Sequence, residues 1–108
     1  MASFDDREKS FEAKYKRDQE TLFRITSRRN RLLGLWAAEQ FGIPDNQALD
    51  YAKEVVLADF EEPGDNDVVR KVLVDFAERG LAMDEQKLRK EMIRLMDEAG
   101  RQIESANS

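Results

Sequence analysis

The fold is decided by residues 4–41, which read FDDREKSFEAKYKRDQETLFRITSRRNRLLGLWAAEQF. This stretch contains no proline and a single glycine, Gly34, and it is followed by Gly42 and Pro44, residue types that commonly terminate helices. A continuous helix over this range would be about 57 Å long at a rise of about 1.5 Å per residue. The sequence therefore predicts one long helix at the start of the chain.

Three shorter helices are predicted after it, and their lengths decide the architecture. We expect them at about residues 46–61, 66–79 and 85–104, with lengths of about 20–32 Å. Only the second half of the first helix can find partners among helices of that length. We therefore predict an all-α chain, in which residues 19–108 form a four-helix bundle, with its first helix at about residues 19–41, and residues 1–18 form an arm that projects from it.

The apolar residues of the long helix also separate the arm from the bundle. After residue 20 they spread over a broad arc, as expected for a helix surrounded by others: Leu22, Phe23, Ile25, Leu32, Leu33, Leu35, Trp36 and Phe41. In the arm, Phe4, Phe11 and Tyr15 fall within about 40° of one another on a helical wheel. Asp18 and Arg29 interrupt the extension of this narrow line, which argues against a sustained coiled coil.

Isolated helices of about 15 residues are marginal in water, so we predict that the arm is disordered alone and becomes helical on a partner. Its three aromatic side chains are the predicted apolar contacts. Two alternatives remain open, namely that these side chains fold back onto the bundle or that two arms pair with each other.

Apolar spacing in the later helices predicts which faces turn inward. In the second helix that face carries Leu49, Ala52, Val56 and Phe60; in the third, Val68, Val69, Val72, Leu73 and Phe76; in the fourth, Leu88, Met92, Leu95, Met96, Ala99 and Ile103. Asp45 and Asp84 are the expected N-caps of the second and fourth helices. Gly34 indicates either a close helix crossing or a bend in the first helix.

Composition restricts the classes of function. The formal net charge of −5 disfavours a general binder of nucleic acid or anionic membrane. The chain has neither histidine nor cysteine, so the commonest general bases, nucleophiles and zinc ligands are missing. No apolar run approaches the roughly 18 residues that span a bilayer. We therefore expect a cytoplasmic protein without membrane insertion, without enzymatic activity and without a metal or cofactor.

One basic cluster stands out in the stretch RITSRRNR, residues 24–31. Arg24, Arg28 and Arg31 share one helix face, where they could bind a phosphate group or an acidic partner surface. Equally, this face could be solvated, or it could pair with the acidic second helix. The cluster supports an alternative function, a small helical regulator that responds to nucleotide or nucleic acid, in which weak nucleotide binding is conceivable.

Several longer stretches resemble a known family. FDDREKSFEAKY at residues 4–15 is followed by Asp18, Glu20 and Phe23, then by RRN at residues 28–30 and LLGLWAAE at residues 32–39. ADFEEPGDNDVVRKVL, residues 58–73, continues the likeness. Together they are similar to the zeta subunit family, the inhibitors of alphaproteobacterial F-type ATP synthase, over nearly the whole chain.

That resemblance implies a function. The N-terminal segment would become helical as it enters a catalytic interface between α and β subunits beside the γ shaft, and it would block rotation in the hydrolytic direction. It implies apolar contacts from Phe4, Phe11 and Tyr15, and charged contacts that fix register, from Asp5, Asp6, Arg7, Glu8, Glu12, Lys14 and Arg17. The bundle would then dock outside the catalytic head, on the cytoplasmic face, with no nucleic acid involved.

One position departs from the family pattern. Many relatives carry histidine immediately before the aspartate that matches Asp18, and this chain carries Arg17. Because the chain contains no histidine, a histidine-based pH switch of inhibition has no basis in its own residues.

Overall fold

The computed structural model describes residues 19–61 and 64–107, with only the backbone of Asn107. These residues form four α-helices: α1 Gln19–Phe41, α2 Asp45–Ala58, α3 Asn66–Glu78 and α4 Glu85–Asn107. Within the described ranges there is no strand, so the prediction of an all-α four-helix fold is confirmed. The predictions for the arm, residues 1–18, lie outside the described residues.

Helix α1 is central to the bundle. It packs most extensively against α2, then against α4, and it also reaches α3. Its 23 residues correspond to about 34 Å at about 1.5 Å per residue, close to the longest dimension of the molecule, 39 Å. The described part of the molecule is therefore little longer than α1 itself.

The buried residues form two clusters along α1. The larger cluster joins all four helices and contains Leu33, Val55, Val72, Phe76 and Leu88 among its members. The smaller cluster joins the start of α1 to the end of α4 through Ile25, Ala99 and Ile103. The predicted stripe of α4 is confirmed, since five of its six members are buried and Met96 packs against the smaller cluster.

Gly34 marks the closest approach of α1 and α2. A Cβ atom built on Gly34 would lie 2.5 Å from the Cα of Ala52 and 3.0 Å from its Cβ. No flexible side chain separates the two backbones, so only glycine fits at this crossing. Of the two sequence-based explanations for Gly34, the close crossing is the correct one.

The predicted inward face of α2 is wrong in part. Leu49 and Phe60 are 46% and 61% exposed, whereas the buried residues are Ala48, Tyr51, Ala52 and Val55. The helix is oriented by two contacts that apolar spacing does not reveal. Ala52 must face Gly34 at the crossing, and the Tyr51 hydroxyl donates a 2.7 Å hydrogen bond to buried Asp75 on α3.

Helix boundaries differ slightly from the prediction. Helix α2 ends at Ala58 rather than near residue 61, because the next N–H groups bond to carbonyls three residues earlier, as from Phe60 to Leu57 at 3.1 Å. Helix α4 continues to Asn107 rather than ending near residue 104. The N-cap of α2 is Pro44, not Asp45, and no side chain caps this end. Asp84 behaves as predicted, since its Oδ1 accepts the Lys87 N–H at 2.8 Å.

Candidate partner-docking site

The ten residues predicted to contact a partner lie outside the described residues: Phe4, Asp5, Asp6, Arg7, Glu8, Phe11, Glu12, Lys14, Tyr15 and Arg17. The structure does describe the end of the bundle to which they are joined. That end begins at Gln19, the exposed first residue of α1. The surface beside it is the part of the candidate site that can be examined side chain by side chain.

A groove runs beside the first half of α1, and it brings the predicted basic cluster together. Arg24, Arg28 and Arg31 line this open groove from α1, and its volume is about 430 Å³. Its remaining lining is largely apolar and comes from three helices: Phe23 and Ser27 of α1, Val56 of α2 and Ile103 of α4. We call this feature the arginine groove. Its combination of cationic and apolar groups suits a partner that offers both acidic and apolar side chains.

Within residues 19–61 and 64–107, Arg24 and Arg28 contact residues of α1 and α4 rather than the acidic second helix, which was one sequence-based explanation for the cluster. Arg24 instead contacts Glu20 one turn earlier in α1, at 3.2 Å, in an exposed pair. Arg28 donates a 3.4 Å hydrogen bond to Gln102 of α4. The exposed Arg24–Glu20 pair contributes little to stability, so the Arg24 side chain can turn toward a partner at small cost.

Two exposed aromatic rings stand at one edge of the arginine groove. Phe23 is 56% exposed and Phe60 is 61% exposed, and their ring centroids are 6.1 Å apart at an interplanar angle of 41°. Leu57, three residues before Phe60, is 64% exposed. We call these three residues the apolar rim. The sequence-based placement of Phe23 and Phe60 in the core is therefore wrong.

Buried polar residues hold the apolar rim in position, and the sequence did not reveal them. Asn30, only 1% exposed, donates a 2.9 Å hydrogen bond to Asp59, the residue before Phe60. Arg29, 4% exposed, donates to Asn30 at 2.8 Å and forms a 2.8 Å ion pair with Asp65. Because buried polar groups are costly unless bonded, this network fixes the end of α2 and the start of α3 against α1.

The sequence offered only a faint signal for this network. Arg29 interrupts an apolar line and belongs to the family motif RRN, but neither feature points to its partner Asp65, which lies 36 residues away. Such a pairing is a tertiary contact, so helical periodicity cannot predict it. The adjacent polar residues Arg29 and Asn30, at positions where the helix should face its neighbours, were the usable clue.

Burial raises the pKa of the Asp59 carboxyl above its ordinary value of 3.8. The hydrogen bond from Asn30 and the charge of Arg29 oppose that shift, whereas the nearby carboxylates of Asp67 and Asp65 add to it. The Asp59 carboxylate is thus partly desolvated, and the Asn30 hydrogen bond and the Arg29 charge stabilise it there.

A second polar cluster lies between α2 and α3. Lys71 bridges Glu54 at 2.8 Å and Asp75 at 3.0 Å, and Asp75 also accepts the Tyr51 hydroxyl. Burial, together with the hydrogen bond and charge of Asp75, raises the pKa of Tyr51 far above its ordinary value. These groups bind one another, so the cluster serves to join two helices. Across residues 19–61 and 64–107, no group of three or more potential metal-ligating side chains is found.

Comparison with known proteins identifies the family. The family model described as ATPase inhibitor subunit zeta matches residues 1–102. The chain belongs to the ATPase inhibitor subunit zeta family. The match spans both the predicted arm and nearly all of the bundle, so the resemblance seen in the sequence motifs is confirmed.

A solved structure is similar to this chain in sequence and fold. A solution NMR structure is 43% identical in sequence and has a TM-score of 0.69. The match covers 78% of this chain and 95% of the chain in the NMR structure. No curated protein matches the chain. The zeta family is one of inhibitor subunits, and ATP synthase is the partner class that this membership indicates. None of the described helices is long and apolar enough to cross a bilayer.

Proposed function

We propose that this chain inhibits ATP hydrolysis by F-type ATP synthase through insertion of residues 4–18 into its catalytic head. The segment becomes a helix in an interface between α and β subunits, beside the γ shaft, and blocks rotation. The observation that carries the proposal is the family match, which begins at residue 1 and so includes this segment. The bundle stays outside, on the cytoplasmic face.

The dimensions of the bundle support a projecting segment. A helix continued backward from Gln19 to Phe4 would add about 22 Å at about 1.5 Å per residue. Helix α1, about 34 Å long, is nearly as long as the longest dimension of the described residues, 39 Å. A helical extension therefore leaves the bundle, and its aromatic side chains find an apolar environment only on another protein.

Burial of the three aromatic side chains of residues 4–18 offsets part of the entropic cost of ordering this segment on the enzyme. Burial of Phe4, Phe11 and Tyr15 contributes about 1.5–3 kcal/mol each, from which the cost of ordering about 15 residues is subtracted. The interleaved acids and bases of the segment fix its register and orientation, because charged groups at interfaces act mainly on specificity. The bundle raises the local concentration of the segment once it is docked.

Inhibition of ATP hydrolysis by the catalytic head of the cognate enzyme tests the proposal. Full-length protein is compared with a truncated protein that begins at Gln19 and with the triple variant Phe4→Ala, Phe11→Ala, Tyr15→Ala. We expect inhibition by the full chain alone, with unchanged thermal unfolding of the bundle in the triple variant. Equal inhibition by all three proteins, or none by the full chain, contradicts the proposal.

A further inference from the structure

We infer that the arginine groove and its apolar rim form a second docking surface, which binds an acidic, apolar-lined surface of the catalytic head beside the entry point of residues 4–18. The inference rests on the proposed function and assigns a role to a part of the bundle that the inserted segment does not explain. Four properties of the chain support it.

The first property is exposed apolar area in one place. Phe23, Leu57 and Phe60 are each more than half exposed, and Phe23 and Phe60 contact each other. Single exposed apolar residues are common on soluble proteins, but a group that adjoins a groove is typical of a binding surface. The groove floor continues this apolar character through Val56 and Ile103.

The second property is that the surface is anchored to α1. The Asn30–Asp59 hydrogen bond ties the residue before Phe60 to α1, and the Arg29–Asp65 ion pair ties the start of α3 to it. Two nearly buried polar side chains are thus used to hold a ring that remains mostly exposed. Because the ring is positioned before binding, little additional conformational entropy is lost when a partner covers it.

The third property is charge. The chain carries a net charge of −5, yet no acidic residue occurs between Glu20 and Glu39, the stretch that contains Arg24, Arg28 and Arg31. The groove is therefore a cationic region on an acidic protein. Complementary potentials steer association, so the expected occupant is acidic.

The fourth property is position, and it selects the occupant. Phe23 lies five residues after Asp18, or about 7.5 Å along the axis if α1 continues into the segment. An enzyme that holds residues 4–18 as a helix therefore meets the groove directly outside the entry point. A second copy of this chain has no such tether, so the catalytic head is the occupant that continuity favours.

The test measures inhibition of the cognate catalytic head by full-length variants with matched controls. Phe60→Ala shortens the apolar rim, and Arg28→Glu reverses the charge of the groove. Leu49→Ala and Lys90→Glu make comparable changes at exposed positions on α2 and α4 away from it. We expect the inhibitory concentration to rise about tenfold for Phe60→Ala and for Arg28→Glu, equivalent to about 1.4 kcal/mol each, and to stay within about twofold for the controls. Increasing salt should weaken the wild type more than Arg28→Glu.

The outcomes separate the two proposals. If Phe60→Ala and Arg28→Glu inhibit like the controls while the triple variant at Phe4, Phe11 and Tyr15 does not inhibit, the inference is overturned and the proposed function stands. If the triple variant inhibits like the wild type, the proposed function fails.

Two results would identify a different occupant of the groove. Tighter inhibition by Phe60→Ala and Arg28→Glu would show that the chain's own arm covers the groove. Self-association in sedimentation that Phe60→Ala abolishes would identify a second copy as the occupant. Either of these results overturns the inference.

Discussion

Replacing Gly34 by alanine tests the helix crossing on which the bundle depends. The added Cβ would lie 2.5 Å from the Cα of Ala52 and 3.3 Å from its backbone nitrogen, against 3.4–4 Å for ordinary contacts. Because the obstructing atoms belong to the backbone, α1 and α2 must move apart by about 1 Å, and the most extensive helix contact in the bundle loosens.

The magnitude follows from two opposing effects. Overpacking against a rigid neighbour costs about 3 kcal/mol, the upper part of the usual range. The higher helix propensity of alanine offsets about 1 kcal/mol of this cost. We therefore expect Gly34→Ala to lower the free energy of unfolding by about 2 kcal/mol, a large fraction of the stability of a small domain.

Urea unfolding followed by circular dichroism measures this change, with the exposed α1 substitution Gln40→Ala as control. The control should change the unfolding free energy by less than about 0.5 kcal/mol. If the dependence of the unfolding free energy on urea concentration is unchanged, the shift of the unfolding midpoint reports a change in stability alone. If Gly34→Ala were instead more stable than wild type by about 1 kcal/mol, helix propensity would be the only effect, and the close crossing would be refuted.

Two further substitutions probe the polar networks. Asp59→Asn should be more stable than wild type at neutral pH. Burial raises the folded-state pKa of Asp59 above its unfolded value of 3.8, so the wild type loses stability as pH rises through that folded-state pKa. The difference in stability should disappear as pH falls below 3.8, and a less stable variant at neutral pH would contradict this. Tyr51→Phe removes the donor to Asp75 and should cost about 1 kcal/mol at neutral pH. Because only the wild type carries Tyr51 with its raised pKa, that difference should shrink above pH 10, where tyrosine ionises in the unfolded chain, and a constant difference would refute the raised pKa. Denaturant unfolding across pH measures both.

The features that sequence predicted well are those set by local chemistry. Glycine and proline mark the C-terminal end of α1, at Gly42 and Pro44, and the apolar stripe of α4 follows helical spacing closely. The basic cluster was predicted to share a face, and Arg24, Arg28 and Arg31 do line one groove. In each case, residues close in the chain determine the outcome.

The features that sequence missed depend on contacts between distant residues. Phe23 and Phe60 were assigned to the core because an exposed phenylalanine and a buried one look alike in an apolar pattern. Arg29 is buried only because Asp65 reaches it from the loop before α3. The sequence alone therefore could not predict the apolar rim or the polar network that holds it, because both depend on how the helices pack. Both belong to the surface proposed to bind the enzyme.

Amide hydrogen exchange on the full-length chain, alone and bound to the catalytic head, tests the central claim most directly. Residues 4–18 should exchange rapidly in the free protein and become protected on binding, while the amides of α1 to α4 keep the protection they already have. Protection of residues 4–18 that is the same with and without the enzyme would contradict insertion, and so would binding that leaves them exchanging freely.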